Sequence, residues 1–172
     1  MGVLEELGYE HKPANAVQRV TQRIAASGPG AWVAQRMLYP IDRWLYRRTD
    51  GNTTLAEITA GLPVILLTTT GAKSGKTRSM PLVGIPLDGE LAIIGSNYGQ
   101  ERTPGWVYNL EADPSATVGY RDRTVDVVAR RADDDTADRV FEAGAAFYAG
   151  YAKYRGRASH RTIRVFVLDA AS

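Results

Sequence analysis

The chain has 172 residues, 44% of them hydrophobic and 23% charged, and this balance predicts one globular domain with a single substantial core. Its 21 basic and 19 acidic residues leave a formal net charge of +2, which argues against a nucleic-acid-binding protein with a strongly basic face. The absence of cysteine excludes disulfides and thiolate catalysis, and with only two histidines we predict no metal site.

The N-terminal residues and the longest apolar runs bear on localisation. The start, "MGVLEELGYEHK", lacks the apolar run of a signal peptide. No stretch of about 18 uninterrupted apolar residues, the length that crosses a bilayer, occurs in the sequence. We therefore expect a cytoplasmic protein.

Residues 13–48 have helical periodicity, interrupted by "SGPG" at 27–30 and kinked at Pro40. The predicted apolar stripe consists of Trp32, Val33, Met37, Leu38, Ile41, Trp44 and Leu45. Because arginines flank this stripe, the helix could lie on an anionic membrane surface, or its apolar face could pack on the domain; we favour packing. A turn is predicted at residues 50–54, and residues 1–60 are assigned to an N-terminal helical extension.

Residues 61–172 have the pattern of an antiparallel β-structure. The segments "PVILLTTT", "TRSMPLVGIPL" and "ELAIIGSN" predict three consecutive antiparallel strands, and the Asp-Gly pair at residues 88–89 predicts a tight hairpin between the last two. A short helix, "PGWVYNLEAD", should start with Pro104 in its first position and stop at Asp113-Pro114. The strands that follow this helix decide whether the predicted sheet is parallel or antiparallel.

Two further strands, "SATVGY" and "RTVDVVARR", follow that helix, and a helix over residues 133–152 precedes a last strand, "RTIRVFVL". Three aspartates at the start of the long helix suit the positive end of its dipole. Six strands with hairpin connections favour a closed or nearly closed antiparallel barrel over a parallel sheet, which would need alternating helices. The predicted fold class is therefore α+β.

The turn "GAKSGKT" between the first two strands is reminiscent of a nucleotide-binding P-loop but is one residue too short. Only three residues separate Gly71 from Gly75, and the segment that follows contains Pro81 and Pro86 and alternates like a strand. A basic turn with Lys73, Lys76 and Arg78 remains. Such a turn can hold an anion through side chains and backbone N–H groups, or it can be a solvated β-turn.

Two longer motifs, "LLTTTGAKSGKTRSMPL" and "GSNYGQERTPGWVYNLEADP", together with tyrosines spaced by three ahead of "RTI", resemble the deazaflavin (coenzyme F420)-dependent nitroreductase family of actinobacteria. The resemblance covers residues 66–168. It implies a split β-barrel like that of the flavin-binding oxidoreductases, and it implies coenzyme F420, whose phosphodiester and glutamate tail would meet the basic turn.

The resemblance also implies roles for individual residues. The predicted cofactor-binding residues are Lys73, Ser74, Lys76, Arg78, Ser79, Met80, Pro81, Leu82, Ile94, Gly95, Ser96, Asn97, Gly105, Trp106, Val107, Tyr108 and Asn109. Tyr151 and Ser96 are the predicted catalytic residues, and Tyr148 and Tyr154 are predicted to line the substrate side. Without the resemblance, the three tyrosines would be interpreted as packing on one side of a helix.

The predicted function is an oxidoreductase that transfers hydride from reduced F420 to a quinone or nitroaromatic acceptor. An F420-binding or sequestering protein without efficient turnover is a second hypothesis, and an FMN-dependent oxidase on the same barrel is a third. We expect the protein to bind a small-molecule acceptor and not to bind nucleic acid. It is expected to be a monomer or a homodimer.

Overall fold

A computed structural model describes residues 2–10, 18, 20, 22, 61–148, 150–157 and 160–171. Apart from residues 18, 20 and 22, which are helical, the helix predicted over 13–48 lies outside the described residues, as does the turn predicted at 50–54. The expectation of a membrane contact through that helix therefore stays a prediction. Within the described ranges, no helix combines the length and the apolar content that a membrane span requires.

Seven strands form one antiparallel sheet. They are β1 (Val64–Thr70), β2 (Thr77–Val83), β3 (Ile85–Leu87), β4 (Glu90–Ile94), β5 (Ser115–Tyr120), β6 (Arg123–Arg131) and β7 (Val165–Ala170). Across the sheet the order is β2-β1-β5-β6-β7-β4-β3, and every neighbouring pair is antiparallel. The last strand in the chain thus lies in the interior of the sheet, between β6 and β4.

The two strands at the ends of this order, β2 and β3, are consecutive in the chain and are separated only by Gly84. One short corner therefore joins opposite ends of the sheet, which curls it into the predicted split antiparallel barrel. A Cβ atom on Gly84 would lie 2.9 Å from the Leu91 side chain and 3.2 Å from that of Ile65, so only glycine fits the corner without displacement. The α+β split-barrel fold class is confirmed.

Two hydrophobic clusters lie against the sheet. The barrel core contains Val3, Leu7, Ile65, Leu67, Leu91, Ile93, Trp106, Val107, Leu110, Val118, Tyr120, Val125, Val127, Ala129, Phe166 and Leu168. The outer cluster contains Leu62, Ile85, Ala92, Ile94, Val140, Phe141, Tyr148, Tyr151, Tyr154, Val165 and Val167. Alternate residues of β4 and β7 enter the two clusters, so both faces of these strands are buried and their sequences read as continuous apolar runs.

Besides the helical residues 18, 20 and 22 and a short 3₁₀ helix at Asn97–Gly99, four α-helices are described: α1 (Val3–Leu7), α2 (Gly105–Ala112), α3 (Asp134–Phe147) and α4 (Gly150–Arg157). At the start of α3, the Asp133 carboxylate accepts a hydrogen bond from the Thr136 N–H at 2.8 Å. Hydrogen bonding to the Thr136 side chain, and then to its backbone N–H, lowers the pKa of Asp133 below its ordinary value. The aspartate run thus begins the helix as expected.

Helix α1 was not predicted, and it packs in the barrel core. Val3 and Leu7 are buried at 3% and 2% exposure. The Tyr9 hydroxyl donates to the Gly84 carbonyl at 2.7 Å, and the Tyr120 hydroxyl donates to the Glu10 carbonyl at 3.2 Å. Residues 2–10 are therefore tied to the barrel that the sequence assigned to residues 61–172. Five residues are too few for a helical periodicity to be recognised.

Several element boundaries differ from the prediction. The second predicted strand is divided at Gly84 into β2 and β3, which raises the strand count from six to seven. Pro104 is the N-cap of α2, with an extended ψ of 146°, and lies one residue before the first helical position. The last strand starts at Val165 and not at Arg161, because the side chains of Arg161 and Arg164 are engaged with loops beside β4 and α2.

Candidate functional site

The basic turn, residues 71–76, joins β1 to β2 and is shaped by its two glycines. Gly71 donates its N–H to the Lys76 carbonyl at 2.9 Å, and its own carbonyl accepts from the N–H groups of Ser74 and Gly75 at 3.1 and 2.7 Å. Gly75 has a left-handed φ of 63°, and a Cβ on Gly71 would lie 2.7 Å from Ser74 Oγ. The glycine spacing thus encodes one compact turn.

Three cations on and beside this turn have no acidic partner among the described residues. Lys73, Lys76 and Arg78 are exposed, and each ion pair in the described part of the chain is made by another arginine. Like charges held close together repel, and a bound anion would relieve that repulsion while accepting charge-assisted hydrogen bonds. The basic turn is therefore suited to a ligand with several negative charges.

Asn109 ties α2 to this turn. Its Oδ1 accepts the Ala72 N–H at 3.0 Å, and its Nδ2 donates to Thr69 Oγ1 at 3.0 Å. Thr69 is buried at the end of β1, so the amide connects a fixed strand end to the backbone of the turn. A neutral side chain holds the turn, and the cations remain available for a ligand.

The predicted site residues of β2 continue along the edge of the sheet. The Ser79 hydroxyl lies 2.9 Å from the Thr68 hydroxyl on β1, and both are on the outside of the barrel. Met80 and Leu82 are half-buried and pack against the barrel core. Pro81 pairs with Leu66 in the β1–β2 register. The strand therefore passes from a basic end to an apolar one.

The predicted residues of α2 divide between core and surface. Trp106 and Val107 are buried at 4% and 0% exposure, and the Trp106 ring centroid lies 6.0 Å from that of Phe166. Tyr108 is 50% exposed and Gly105 is exposed. Trp106 and Val107 thus support the helix from the core, whereas Gly105, Tyr108 and Asn109 reach its outer side.

The end of β4 leads the chain into a short loop that carries the other predicted site residues. Ile94, Gly95 and Ser96 are buried, and a Cβ on Gly95 would lie 2.8 Å from the Val107 side chain. Asn97 donates its side-chain amide to the Arg102 carbonyl at 2.9 Å and so closes the loop on itself. Ser96, at 7% exposure, is one of the few buried polar residues described.

The three predicted site tyrosines form a buried cluster. Their ring centroids are 5.6, 5.9 and 6.1 Å apart in edge-to-face arrangements. The hydroxyls of Tyr148 and Tyr154 share a hydrogen bond of 2.7 Å, whereas the Tyr151 hydroxyl makes no hydrogen bond with any described residue. The Tyr98 ring, from the loop after β4, contacts Tyr154 at a centroid distance of 6.0 Å. The cluster therefore lies next to the loop that carries Ser96.

Burial sets the ionisation of these tyrosines. It raises the pKa of Tyr151 far above the ordinary value of a phenol, and the neighbouring Tyr148 and Tyr98 raise it further. Burial is also the main cause that raises the pKa of Tyr154, followed by Tyr148. Both phenols stay neutral over the whole physiological range, so they can donate a hydrogen bond but cannot act as phenolate bases.

The tyrosines do not share one helix, which corrects the helix predicted over residues 133–152. α3 ends at Phe147, Tyr148 adopts an extended conformation with φ −144° and ψ 99°, and α4 starts at Gly150. At this break the Tyr148 ring folds back over Gly150, where a Cβ would lie 2.3 Å from the ring. Tyr148 therefore approaches Tyr151 and Tyr154 from outside their helix.

Sequence reasoning assigned no role to Arg161, although it belongs to the quoted "RTI" segment. Its guanidinium donates to three backbone carbonyls of the loop after β4. The sequence likewise indicated no role for Thr69, whose hydroxyl accepts a hydrogen bond from the Asn109 side chain. The only available signal was an arginine a few residues before an apolar strand, and it did not indicate a partner.

A sequence profile of the family described as F420H(2)-dependent quinone reductase matches residues 38–170, more than half of the chain. An F420H(2)-dependent quinone reductase of Mycobacterium tuberculosis is 33% identical over 86 residues, which are 50% of this chain and 57% of that protein. The alignment thus covers little more than half the length of this curated relative.

Two solved structures are also similar. An F420-H2 dependent reductase, FDR-A, is 33% identical with a TM-score of 0.57, and the match covers 62% of this chain and 94% of that one. A protein described as a domain-swapped dimer is 31% identical with a TM-score of 0.59, over 83% of this chain and 100% of that one.

Proposed function

Because this chain belongs to the F420H(2)-dependent quinone reductase family, we propose that it binds reduced coenzyme F420 and reduces a quinone. Nitroaromatics, which are also electron-poor, are the second acceptor class that we propose. The observation that carries the proposal is the basic turn with its three cations, none of them paired with an acidic residue in the described part of the chain.

The donor chemistry of this turn fits the anionic end of F420. Lys73, Lys76 and Arg78 supply positive charge for a phosphodiester and for glutamate carboxylates, and Ser74 adds a hydroxyl. Asn109 holds the turn without adding charge of its own. Outward-facing Gly105 and Tyr108 complete the predicted binding edge on α2.

The deazaflavin supplies a hydride when it is bound, and the protein supplies orientation and charge stabilisation. Negative charge develops on the acceptor oxygen during reduction, and a hydrogen bond that meets this charge lowers the barrier. We propose that the Tyr151 hydroxyl donates this bond, supported by Ser96. Of the three cluster tyrosines, Tyr151 is the one whose hydroxyl has no hydrogen-bond partner among the described residues.

The surroundings of Tyr151 suit a flat, electron-poor ring. Tyr148 and Tyr154 pack against it in edge-to-face arrangements, and the outer cluster around them is apolar. Such a lining binds a flat acceptor by stacking and by the hydrophobic effect. The proton can come from water, since a neutral phenol with a raised pKa is a poor acid.

The test is a titration with F420 followed by reduction of a quinone panel by reduced F420. We expect Lys73→Ala with Arg78→Ala to weaken F420 binding by about 1–3 kcal/mol for each lost contact, with a loss that depends on salt. The matched control, Arg139→Ala with Lys153→Ala, removes the same charges from exposed positions on α3 and α4 and should bind F420 like the wild type.

Three results would count against the proposal. Equal F420 affinity in the double variant and the wild type would mean that the basic turn is only solvated. Tight binding of FMN in place of F420 would favour the FMN-dependent oxidase. Binding of F420 without reduction of any quinone or nitroaromatic would favour a cofactor-sequestering protein.

A further inference from the structure

The loop after β4 has an unusual backbone. Asn97, Tyr98 and Gly99 are consecutive and have φ values of 46°, 56° and 77°, all in the left-handed region. A non-glycine residue in this region costs energy, and such strain persists only where the surroundings hold the chain in place. The contacts around Asn97 and Tyr98 therefore have to hold this conformation, and hydrogen bonds within the loop supply part of them.

Arg161 anchors the loop from outside it. Its Nε donates to the Gln100 carbonyl at 3.1 Å, one terminal nitrogen donates to the Gly95 carbonyl at 3.2 Å, and the other donates to the Ser96 carbonyl at 2.9 Å. One guanidinium thus spans both ends of the loop. The three contacts use its fork geometry, which the single ammonium of a lysine cannot reproduce.

The charged guanidinium of Arg161 interacts with the carbonyl groups of this loop. Among the described residues, no carboxylate lies within ion-pair distance of its guanidinium. Partial burial lowers the pKa of Arg161, and the adjacent Arg164 lowers it further, yet an arginine remains charged at any physiological pH. Desolvating a charge is costly, and the three carbonyl contacts compensate for that cost.

The anchored loop borders the proposed site on two sides. It positions Ser96, and its Tyr98 ring contacts the tyrosine cluster through Tyr154. Gly99 and Gln100 of the loop, together with Arg102 and His160, line an open pocket of about 470 Å³. A shift of the loop would therefore move Ser96 and one wall of the tyrosine cluster together.

We propose that Arg161 is a positioning residue for acceptor reduction, which holds residues 95–100 in their strained conformation so that Ser96 and Tyr98 keep their places beside the acceptor. This inference rests on the proposed reductase function. The basic turn is anchored separately by Asn109, so the loss of Arg161 should impair acceptor reduction much more than cofactor binding.

The experiment compares Arg161→Ala, Arg161→Lys and the control Arg155→Ala, which removes an exposed arginine of α4. Hydrogen exchange of a peptide covering residues 95–102 reports on the loop without any cofactor. We expect faster exchange in Arg161→Ala, and in Arg161→Lys to a smaller extent, and wild-type exchange in Arg155→Ala. Fluorescence titration measures F420 affinity, and steady-state kinetics separate kcat from KM for a quinone.

For Arg161→Ala we expect kcat to fall about tenfold to a hundredfold, the scale of a misplaced catalytic group, with F420 affinity within about threefold of the wild type. Added guanidinium ion at millimolar concentration should restore part of kcat in Arg161→Ala and none in Arg161→Lys, because only the alanine variant leaves space for it. Such a rescue would not follow from a general loss of folding.

Several outcomes would overturn the inference. Unchanged exchange at residues 95–102 would show that Arg161 does not hold the loop, and faster exchange with wild-type kcat would show that the anchor serves stability only. If Arg161→Ala does not fold, Arg161→Lys takes its place, and a kcat equal to that of the wild type would show that the anchor serves stability only. A wild type that binds no F420 would overturn the proposed function and the inference with it, and the exchange data would still identify the anchor.

Discussion

The basic turn and the tyrosine cluster are two parts of one proposed site, yet they are built in opposite ways. The turn is exposed, and its cations have no acidic partners among the described residues. The cluster is buried, and two of its three hydroxyls bond to each other. The exposed cations of the turn therefore point to a ligand by themselves. In the buried cluster, only the Tyr151 hydroxyl, which makes no hydrogen bond with a described residue, points to one.

This contrast separates stability from binding. Removing charges from the turn should leave the fold intact, because the turn is held by backbone bonds and by Asn109. Changes within the cluster should affect the fold first, since its three rings are buried and pack against one another at centroid distances near 6 Å. The following predictions test how sharp this separation is.

Gly150→Ala should have the largest effect. The new methyl group would lie 2.3 Å from the Tyr148 ring, which is buried and hydrogen-bonded to Tyr154 and cannot easily move. We expect a loss of about 2–3 kcal/mol in the free energy of unfolding, measured by urea denaturation. Gly156→Ala is the control on the same helix, because a methyl group there meets open space and should stabilise by up to about 1 kcal/mol. Equal stabilities of the two variants would contradict the packing described here.

Tyr151→Phe should affect turnover more than stability. The hydroxyl that it removes makes no hydrogen bond with a described residue, so we expect an unfolding free energy near that of the wild type. The proposed hydrogen bond to the acceptor is made chiefly in the transition state, so kcat should fall roughly tenfold to a hundredfold while F420 affinity changes little. Wild-type turnover with every acceptor would restrict Tyr151 to packing.

Tyr148→Phe should affect stability more than turnover, and its effect should be smaller. It leaves the Tyr154 hydroxyl without this 2.7 Å partner in a buried position, at a cost of about 1–2 kcal/mol of stability. The ring is kept, so kcat for the best quinone should change by less than about twofold. A large loss of turnover at unchanged stability would indicate that Tyr148, and not Tyr151, provides the functional hydroxyl.

The smallest effect concerns alkaline stability. Because burial raises the folded-state pKa of Tyr151 and Tyr154 above the unfolded value of about 10, the folded protein keeps these protons where the unfolded chain loses them. Their contribution to stability is complete below that pH and declines above it. Urea midpoints between pH 9 and 11 should thus fall less steeply in Tyr154→Phe than in the wild type; parallel curves would contradict the burial of this phenol.

Local patterns in the sequence were sufficient wherever neighbouring residues determine the conformation. Asp88 and Gly89 have φ values of 51° and 86°, as an Asp-Gly hairpin requires, and both β5 and β6 have their predicted bounds. The glycine spacing of the basic turn likewise encodes its shape. Which residues bind cofactor and acceptor was predicted from the family resemblance and stays a prediction.

Long-range contacts were beyond a local pattern. The helix was predicted to continue from residue 133 to 152, but Tyr148 is extended, its ring lies over Gly150, and the helix is broken there. Arg161 binds carbonyls 61 to 66 residues earlier in the chain, and carbonyls have no sequence signature. Partners that are backbone atoms can be identified only from coordinates.

The position of β7 has a consequence for synthesis of the protein. It is the last of the seven described strands to be synthesised, yet it lies between β6 and β4 and hydrogen-bonds to both. Until it arrives, these two strands each have an unpaired edge, a template for association between nascent chains. The two halves of the sheet are therefore joined on this side only after β7 has been synthesised, and a cell that makes the protein must keep those edges apart until then.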